Sequence, residues 1–345
     1  MRAVQLLEPG SQPVLRDIAD PVPRPDQLLV KVLAAGVCRD DVNVIDHYAD
    51  VFNYPLPMVM GHECAGVIAA MGDAVESLLQ VGDAVVVYPP WGCGVCRMCA
   101  AGLENYCPDA TTLGITAPGL GHDGGCAEYM LVDRARHCVP IGDLDPVQAA
   151  PLGDAGLTSY HVVRHSREKL GPGSVAVVFG VGGLGHLAVQ LLKHLTPATV
   201  VAIDVSEQHL ELAGEVGADH CLSSDVRAIR TVRELTGGHG ADAVLDFVGT
   251  QDTIGLGAQM TRIGGDWSIV GAGPGVAGVA FGSVPFGCEV FSPYFGTRED
   301  LCAVVALAQA GALKVHAQPY GLDDAAEVYR RLRAGEILGR AVLVP

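Results

Sequence analysis

The sequence predicts an α/β protein, with a doubly wound parallel sheet in its second half and an antiparallel β region ahead of it. Three stretches carry that expectation. Residues 174–204, SVAVVFGVGGLGHLAVQLLKHLTPATVVAID, read as one strand, glycine turn, helix and strand. Beyond them EVGADHCL, GADAVLDFVG and GGDWSIVGA each place a short apolar strand after a helix or glycine turn, which completes the strand count of a doubly wound sheet. Residues 1–36 instead alternate apolar and polar positions between proline-rich turns, as in RDIADPVPRPDQLLVKVLAAG. That period of two predicts short antiparallel strands.

The central unit can be taken residue by residue. The run from Val175 to Phe179 is short, apolar and unbroken, as a strand buried on both faces of a parallel sheet requires. Gly180, Gly182 and Gly185 then form GxGxxG: the first permits a tight turn, the second lets backbone approach a pyrophosphate, and the third lets helix pack on strand. Leu184, Leu187, Leu191, Leu192 and Leu195 recur at helical spacing, so a helix begins here with its first amides aimed at the phosphates. The next strand closes on Asp204, nineteen residues after Gly185, where a carboxylate accepts hydrogen bonds from the adenosine ribose. A lone GxGxxG is weak, but the flanking strand, helix, strand and acid make this a dinucleotide site. Val205, Ser206 and Glu207 supply no cation for a 2′-phosphate and Asp204 repels one, so NAD is expected in preference to NADP.

At 345 residues, with 49% hydrophobic residues and 44 glycines, the chain has room for two domains with large cores. Its net charge of −17, from 22 basic against 39 acidic residues without a basic block, argues against a nucleic-acid partner. The N-terminal MRAVQLLEPG lacks an apolar segment of signal-peptide length, and no apolar run approaches a membrane span, so a cytoplasmic protein with no membrane partner is expected. In such a reducing compartment the eleven cysteines serve metals more readily than disulfides.

Two isolated signals precede the central unit: Cys38 in Cys-Arg-Asp-Asp, and His62 in Gly-His-Glu. Alone, each reads as an ordinary buried side chain. Cys93, Cys96, Cys99 and Cys107 are different, since their CxxCxxCx7C spacing in a glycine-rich loop closes a tetrahedral zinc site with four sulfurs. A zinc so enclosed has no open position and is structural. Residues 121–141 return to strand-like alternation. Asp154 lies in a glycine-bounded turn ahead of a helix, where helix capping is the simple role for an Asp.

Cys38, the Gly-His-Glu at 61–63, the four-cysteine loop and GVGGLG at 180–185 occur in an order that resembles the zinc-dependent medium-chain alcohol dehydrogenase family, nearest to bacterial secondary-alcohol dehydrogenases. The likeness runs through GGCAEYM at 124–130, PLGDAGLTSYH at 151–161, SPYFGT at 292–297 and the terminal GRAVLVP. It implies a GroES-like catalytic domain over residues 1–155 and 290–345, with a Rossmann NAD-binding domain over 156–289 inserted in it. It also implies two zinc ions per chain, the second a catalytic one held by Cys38, His62 and Asp154 with one position open for water or substrate. Glu63 would lie beside that metal, and Arg39 and Arg340 would contact the cofactor pyrophosphate. Thr158 would lie near the nicotinamide, and Gly183, Leu184 and Val270 complete the implied cofactor contacts. The resemblance further implies a homodimer or homotetramer acting on a small-molecule alcohol, ketone or aldehyde.

One departure from the family concerns Asp40, which stands where Ser or Thr relays the substrate proton, while Asn43 stands where some relatives end the relay with His. Proton transfer then falls to Asp40, a water, or another group such as His47. Two alternatives remain: a reductase of a cationic iminium, favoured by an anionic pocket, or of an activated alkene, which fits the altered relay; and a non-catalytic NAD-binding scaffold. Residues 48–60, Trp91, Tyr294 and Phe295 are candidates for the substrate pocket or for ordinary core.

Overall fold

The structure is a computed structural model that describes residues 1–51 and 54–345, with side chains at all of these except 47–51. It divides into two compact units, Met1–Leu157 with Phe295–Pro345, and Thr158–Tyr294. No helix among the described residues is long and apolar enough to cross a membrane.

The second unit is built on a six-stranded sheet, all parallel, in the order His220–Ser223, Thr199–Asp204, Val175–Phe179, Ala241–Asp246, Thr261–Ile269 and Glu289–Phe291. This is the doubly wound arrangement, and its order reverses between Val175–Phe179 and Ala241–Asp246. Every residue of Val175–Phe179 is buried, as an unbroken apolar run predicts. Phe179, Val201, Ile203, Val244 and Trp267 meet in one core. Each such side chain contributes about 1.5–3 kcal/mol by leaving water. The helix Gly185–Leu195 turns Leu187, Leu191 and Leu192 inward. The sixth strand, Glu289–Phe291, is too short at three residues to stand out in the sequence, and it carries the unit on to Tyr294.

The first unit is the antiparallel β region. Among the described residues its larger sheet runs Cys138–Pro140, Ala84–Val87, Glu63–Met71, Leu28–Val37, Arg340–Val344 and Ala317–Gly321, with Tyr129–Val132 also paired to Leu28–Val37. The last pair in that order is parallel and the others are antiparallel. Leu28–Val37 alternates at its start and is buried throughout its last four residues. The terminal strand Arg340–Val344 lies beside that buried end, pairing Ala341 with Val37. Residues from opposite ends of the chain are thereby placed around Cys38.

Candidate metal and cofactor sites

Three connections in the first unit converge. Cys38 follows the strand Leu28–Val37, His62 precedes the strand Glu63–Met71, and Asp154 follows the short 3-10 turn Ala150–Gly153. The sulfur of Cys38 lies 3.4 Å from Asp154 Oδ2, and His62 Nε2 lies 3.5 Å from the same oxygen. All three are buried, and their ligand atoms fall within 4.8 Å of one another. Gly61 makes the turn possible: its φ is +95°, and a side chain there would meet the Cys126 sulfur at 2.4 Å.

The donor set suits a cation. Both ring nitrogens of His62 are buried without a hydrogen-bond partner, Nδ1 lying 3.2 Å from Asp41 Oδ1 and Nε2 3.5 Å from Asp154 Oδ2. A carboxylate behind one ring nitrogen leaves the other to a metal. Burial opposes charge on His62, yet Asp41, Asp154 and Cys38 push its pKa well above the usual value. Burial also raises the Cys38 thiol to about 12. A cluster that draws positive charge this strongly, from one thiol, one imidazole and one carboxylate, is fitted to a zinc ion.

Asp41 escaped the sequence reading although it sits in the quoted Cys-Arg-Asp-Asp. Its Oδ2 accepts the Cys38 backbone N–H at 2.8 Å, so one fully buried carboxylate steadies two of the three candidate ligands. The available signal was an acid three residues after the residue that precedes a helix, the spacing of a capping box. The Ala155 amide, which opens the helix after Asp154, donates to Glu63 Oε1 at 3.0 Å. Glu63 is also held by Arg340, whose Nε donates to Oε2 at 2.9 Å and Nη2 to Oε1 at 2.5 Å, and the same Nη2 lies 3.1 Å from Asp154 Oδ2. Buried Arg340 thus balances the charge of two acids around the cluster, a role the sequence reading did not assign to it. Arg39 is exposed, with Nη1 donating to the carbonyls of Leu332 and Arg333.

Asp40 lies in the first turn of the helix Arg39–Val51, and its Oδ1 accepts a hydrogen bond from Asn43 Nδ2 at 3.2 Å. Burial, and then the charge of Asp154, raise its pKa. The two residues that depart from the family's relay are therefore partners in space. The His47 side chain lies outside the described residues, as does part of the 48–60 stretch. Phe295 packs edge-on against His62, with centroids 5.9 Å apart, and is the described non-glycine residue with positive φ, at +49°. Backbone in that region is costly for a bulky residue and tends to accompany a functional site. Trp91 is buried and stacks on His137 at 5.1 Å; Tyr294 is half-exposed in the second unit.

The four cysteines form a separate cluster. Cys93 and Cys99 sulfurs are 3.9 Å apart, as are those of Cys96 and Cys107. Four sulfurs at about 2.3 Å from a zinc stand about 3.8 Å apart, whereas a disulfide brings two to about 2.05 Å. Amides of Cys96 and Cys99 point at the Cys93 and Cys96 sulfurs, and backbone hydrogen bonds from Val95 and then Cys96 lower the Cys93 thiol to about 7. The loop is tied down by Glu104, which accepts from Arg136 Nε at 2.7 Å and lies 3.3 Å from His137 Nε2. A third grouping, His165, Asp266 and Glu289, already contains its own cation, because the Lys169 ammonium pairs with both acids.

In the second unit the glycine turn sits where the strand order reverses. A Cβ on Gly185 would lie 1.8 Å from the Gly180 carbonyl oxygen, so close helix-to-strand approach excludes any side chain. At Gly182 a Cβ would meet nothing within 4 Å; it faces open space that a side chain would fill. That cradle fits a pyrophosphate. Asp204 ends its strand with Oδ2 accepting the Val181 N–H at 2.7 Å and Oδ1 accepting that of Ser206 at 2.9 Å. Burial works against its charge, but His209 and these amides outweigh it and lower its pKa. Val270 follows the strand Thr261–Ile269, its amide donating to Asp246 O at 2.8 Å, and Thr158 is buried on the helix Ala155–Ser166.

Comparison with known proteins agrees with this geometry. The family model for the alcohol dehydrogenase GroES-like domain matches residues 24–143, and that for zinc-binding dehydrogenases matches residues 183–315. The chain is 34% identical to a D-arabinose 1-dehydrogenase (NADP(+)) of Saccharolobus solfataricus, over 99% of this chain and 97% of that one. It is also 34% identical to an NAD-dependent alcohol dehydrogenase of Sulfurisphaera tokodaii, with both chains covered completely. The crystal structure of the alcohol dehydrogenase of Aeropyrum pernix superposes with a TM-score of 0.91 at 35% identity, covering 100% of both chains. Identity at this level over the full length carries more than a shared fold, and the chain belongs to the zinc-dependent medium-chain alcohol dehydrogenase family of oxidoreductases.

Proposed function

We propose that the protein interconverts a small secondary alcohol and its ketone, or a primary alcohol and its aldehyde, with NAD(H). The observation that carries this reading is the buried Cys38, His62 and Asp154 cluster, with Asp41 behind His62 and Asp40 in the first turn of the helix that follows Cys38. Cys38, His62 and Asp154 would hold one zinc ion and the four cysteines a second. When bound, the first zinc would polarise the substrate oxygen, and the nicotinamide would accept or return the hydride. Asp41 keeps the proton of His62 on Nδ1 and so directs Nε2 at the metal. Asp40 takes the hydroxyl proton during oxidation and returns it during reduction, with Asn43 orienting Oδ1. Glu63 and Arg340 hold Asp154 in place while neutralising charge near it. Arg39 and Arg340 as pyrophosphate contacts, Thr158 as a nicotinamide neighbour, and the Gly180–Gly185 turn with Asp204 complete the reading.

The test is a screen of secondary alcohols, aldehydes, ketones and cyclic imines with both NAD(H) and NADP(H), on protein whose zinc content has been measured. Turnover of an alcohol or ketone pair with NAD preferred, at two zincs per chain, is the expected outcome. A relative that uses NADP makes the cofactor comparison essential. Turnover of imines alone would favour the cationic-substrate alternative, and no turnover with one zinc per chain would favour a scaffold.

The protein is further expected to act as a homodimer or homotetramer in a reducing compartment such as the cytoplasm, where its cysteines stay unpaired. The parallel sheet ends on Glu289–Phe291, and the chain just before it exposes Val276, Val279, Phe281 and Phe286. An open strand edge beside an apolar patch favours self-association. Sedimentation should find dimers or larger in the wild type, and Phe281→Glu should shift the population toward monomer. A wild type that sediments as a monomer at micromolar concentration would refute the assembly.

A further inference from the structure

We infer that the four-cysteine loop sets the geometry of the Cys38, His62 and Asp154 cluster as well as its own shape, and that the buried hydroxyl of Tyr88 is the positioning group that connects them. The inference rests on the two-zinc reading above and adds a link between its two sites. Tyr88 follows the strand Ala84–Val87 and is fully buried. Its backbone is fixed on both sides: the N–H donates to the His137 carbonyl at 2.7 Å, and the carbonyl accepts Trp91 Nε1 at 2.9 Å. Two segments then meet at the ring oxygen. Oη donates to the Gly296 carbonyl at 2.9 Å, and it accepts a backbone hydrogen bond from Asn105. Burial, and then the negative charges of Glu104 and Asp300, push its pKa up, so the hydroxyl keeps the proton that the Gly296 bond needs.

Each segment leads to one site. Asn105 is buried in the 3-10 turn Glu104–Tyr106, and that turn runs directly into the ligand Cys107. On the other side Gly296 lies between Phe295 and Thr297. Thr297 is pinned to Asp300, with its N–H and Oγ1 both donating to Oδ2, at 2.9 and 2.8 Å. Phe295, at φ +49°, packs edge-on against His62 with ring centroids 5.9 Å apart. A bulky residue keeps such a backbone conformation only where its surroundings over-determine it, and the bonds from Tyr88 and to Asp300 supply that constraint. A displacement of the four-cysteine loop therefore moves Asn105, the Tyr88 hydroxyl and Gly296 in turn. The Phe295 ring then carries it to a ligand of the other metal. Packed side chains and hydrogen bonds with fixed partners are the physical carriers of coupling between sites.

The experiment is a double-mutant cycle on the zinc-loaded, full-length protein. Tyr88→Phe keeps the ring and removes the hydroxyl, and Cys99→Ser opens the four-cysteine site. Glu104→Gln, which loosens the loop without touching a ligand, replaces Cys99→Ser if that variant does not fold. The readouts are kcat on the alcohol or ketone that the screen identifies, zinc content with melting temperature, and the rate at which pyridylazoresorcinol takes up the zinc that Cys99→Ser retains. Cys99→Ser should lower kcat and speed the loss of that zinc, each by about tenfold, a usual size for coupling between sites. Tyr88→Phe should do the same while keeping two zincs per chain. Together the two substitutions should exceed either alone by less than about twofold, because both cut one path. Arg298→Ala removes the exposed contact of Nε with the Arg136 carbonyl at 2.6 Å, which joins the same segments at the surface, and should leave kcat and zinc release unchanged. Effects that multiply in the double variant would overturn the inference, as would wild-type kcat and zinc release in either the loop variant or Tyr88→Phe. A wild type that holds fewer than two zincs per chain would overturn the two-zinc reading, and the inference with it.

Discussion

Asp40→Asn is expected to lower alcohol oxidation by on the order of 10²-fold or more while zinc content and NADH affinity stay at wild-type values, the scale set by removing a positioned acid or base. The carboxylate stands where the resemblance places the relay hydroxyl, on the helix that starts just after Cys38, and accepts a hydrogen bond from Asn43. An amide of the same shape keeps that contact and cannot accept the substrate proton. Asp40→Ser restores the hydroxyl found in relatives and should recover part of the activity. The pair of variants also separates the two chemistries that an acid here permits. If the charge selects a cationic substrate, the Ser variant should lose imine reduction and gain ketone reduction, because a neutral neighbour leaves a bound zinc the better Lewis acid. Indistinguishable rates for wild type, Asn and Ser on every substrate would show that Asp40 takes no part in either chemistry.

Cys99→Ser is expected to release one zinc per chain and to lower the melting temperature by about 10 °C or more. The loop from Gly92 to Cys107 has little core of its own; Cys99 and Asn105 are buried, while Val95 is 86% exposed. Its shape therefore depends on four sulfurs closing on one ion, and the free energy of binding a structural zinc is part of the free energy of folding. A structural zinc can contribute about 10 kcal/mol or more, and losing about 7 kcal/mol of it in a chain of this size translates to a shift of that order. Glu104 would still tether the loop to Arg136 and His137, so a partly ordered remnant and not global unfolding is the expected state. Melting measured with metal analysis on the same samples decides the matter. One zinc lost with melting unchanged would remove the structural role.

The sequence by itself determined whatever is recorded within a few residues. The apolar run Val175–Phe179, the glycine turn after it and the helix periodicity of Gly185–Leu195 were legible because strand burial, turn geometry and helix packing each impose a local period or a local glycine. The four-cysteine loop was legible for the same reason, since its ligands lie within fifteen residues. Cys38, His62 and Asp154 carry no such spacing; only likeness to a known family singled them out, and the fold then placed their donor atoms within 4.8 Å. Tertiary structure alone decided the rest. Asp41 reaches His62 because a helix start packs beside the Gly-His-Glu turn, and Arg340 reaches Glu63 and Asp154 because the last strand pairs next to the one ending at Val37. The sixth strand, Glu289–Phe291, exists because the edge of a parallel sheet offers it a ladder of backbone partners. Such pairings depend on which side chains burial forces together across hundreds of residues, and no local periodicity encodes them.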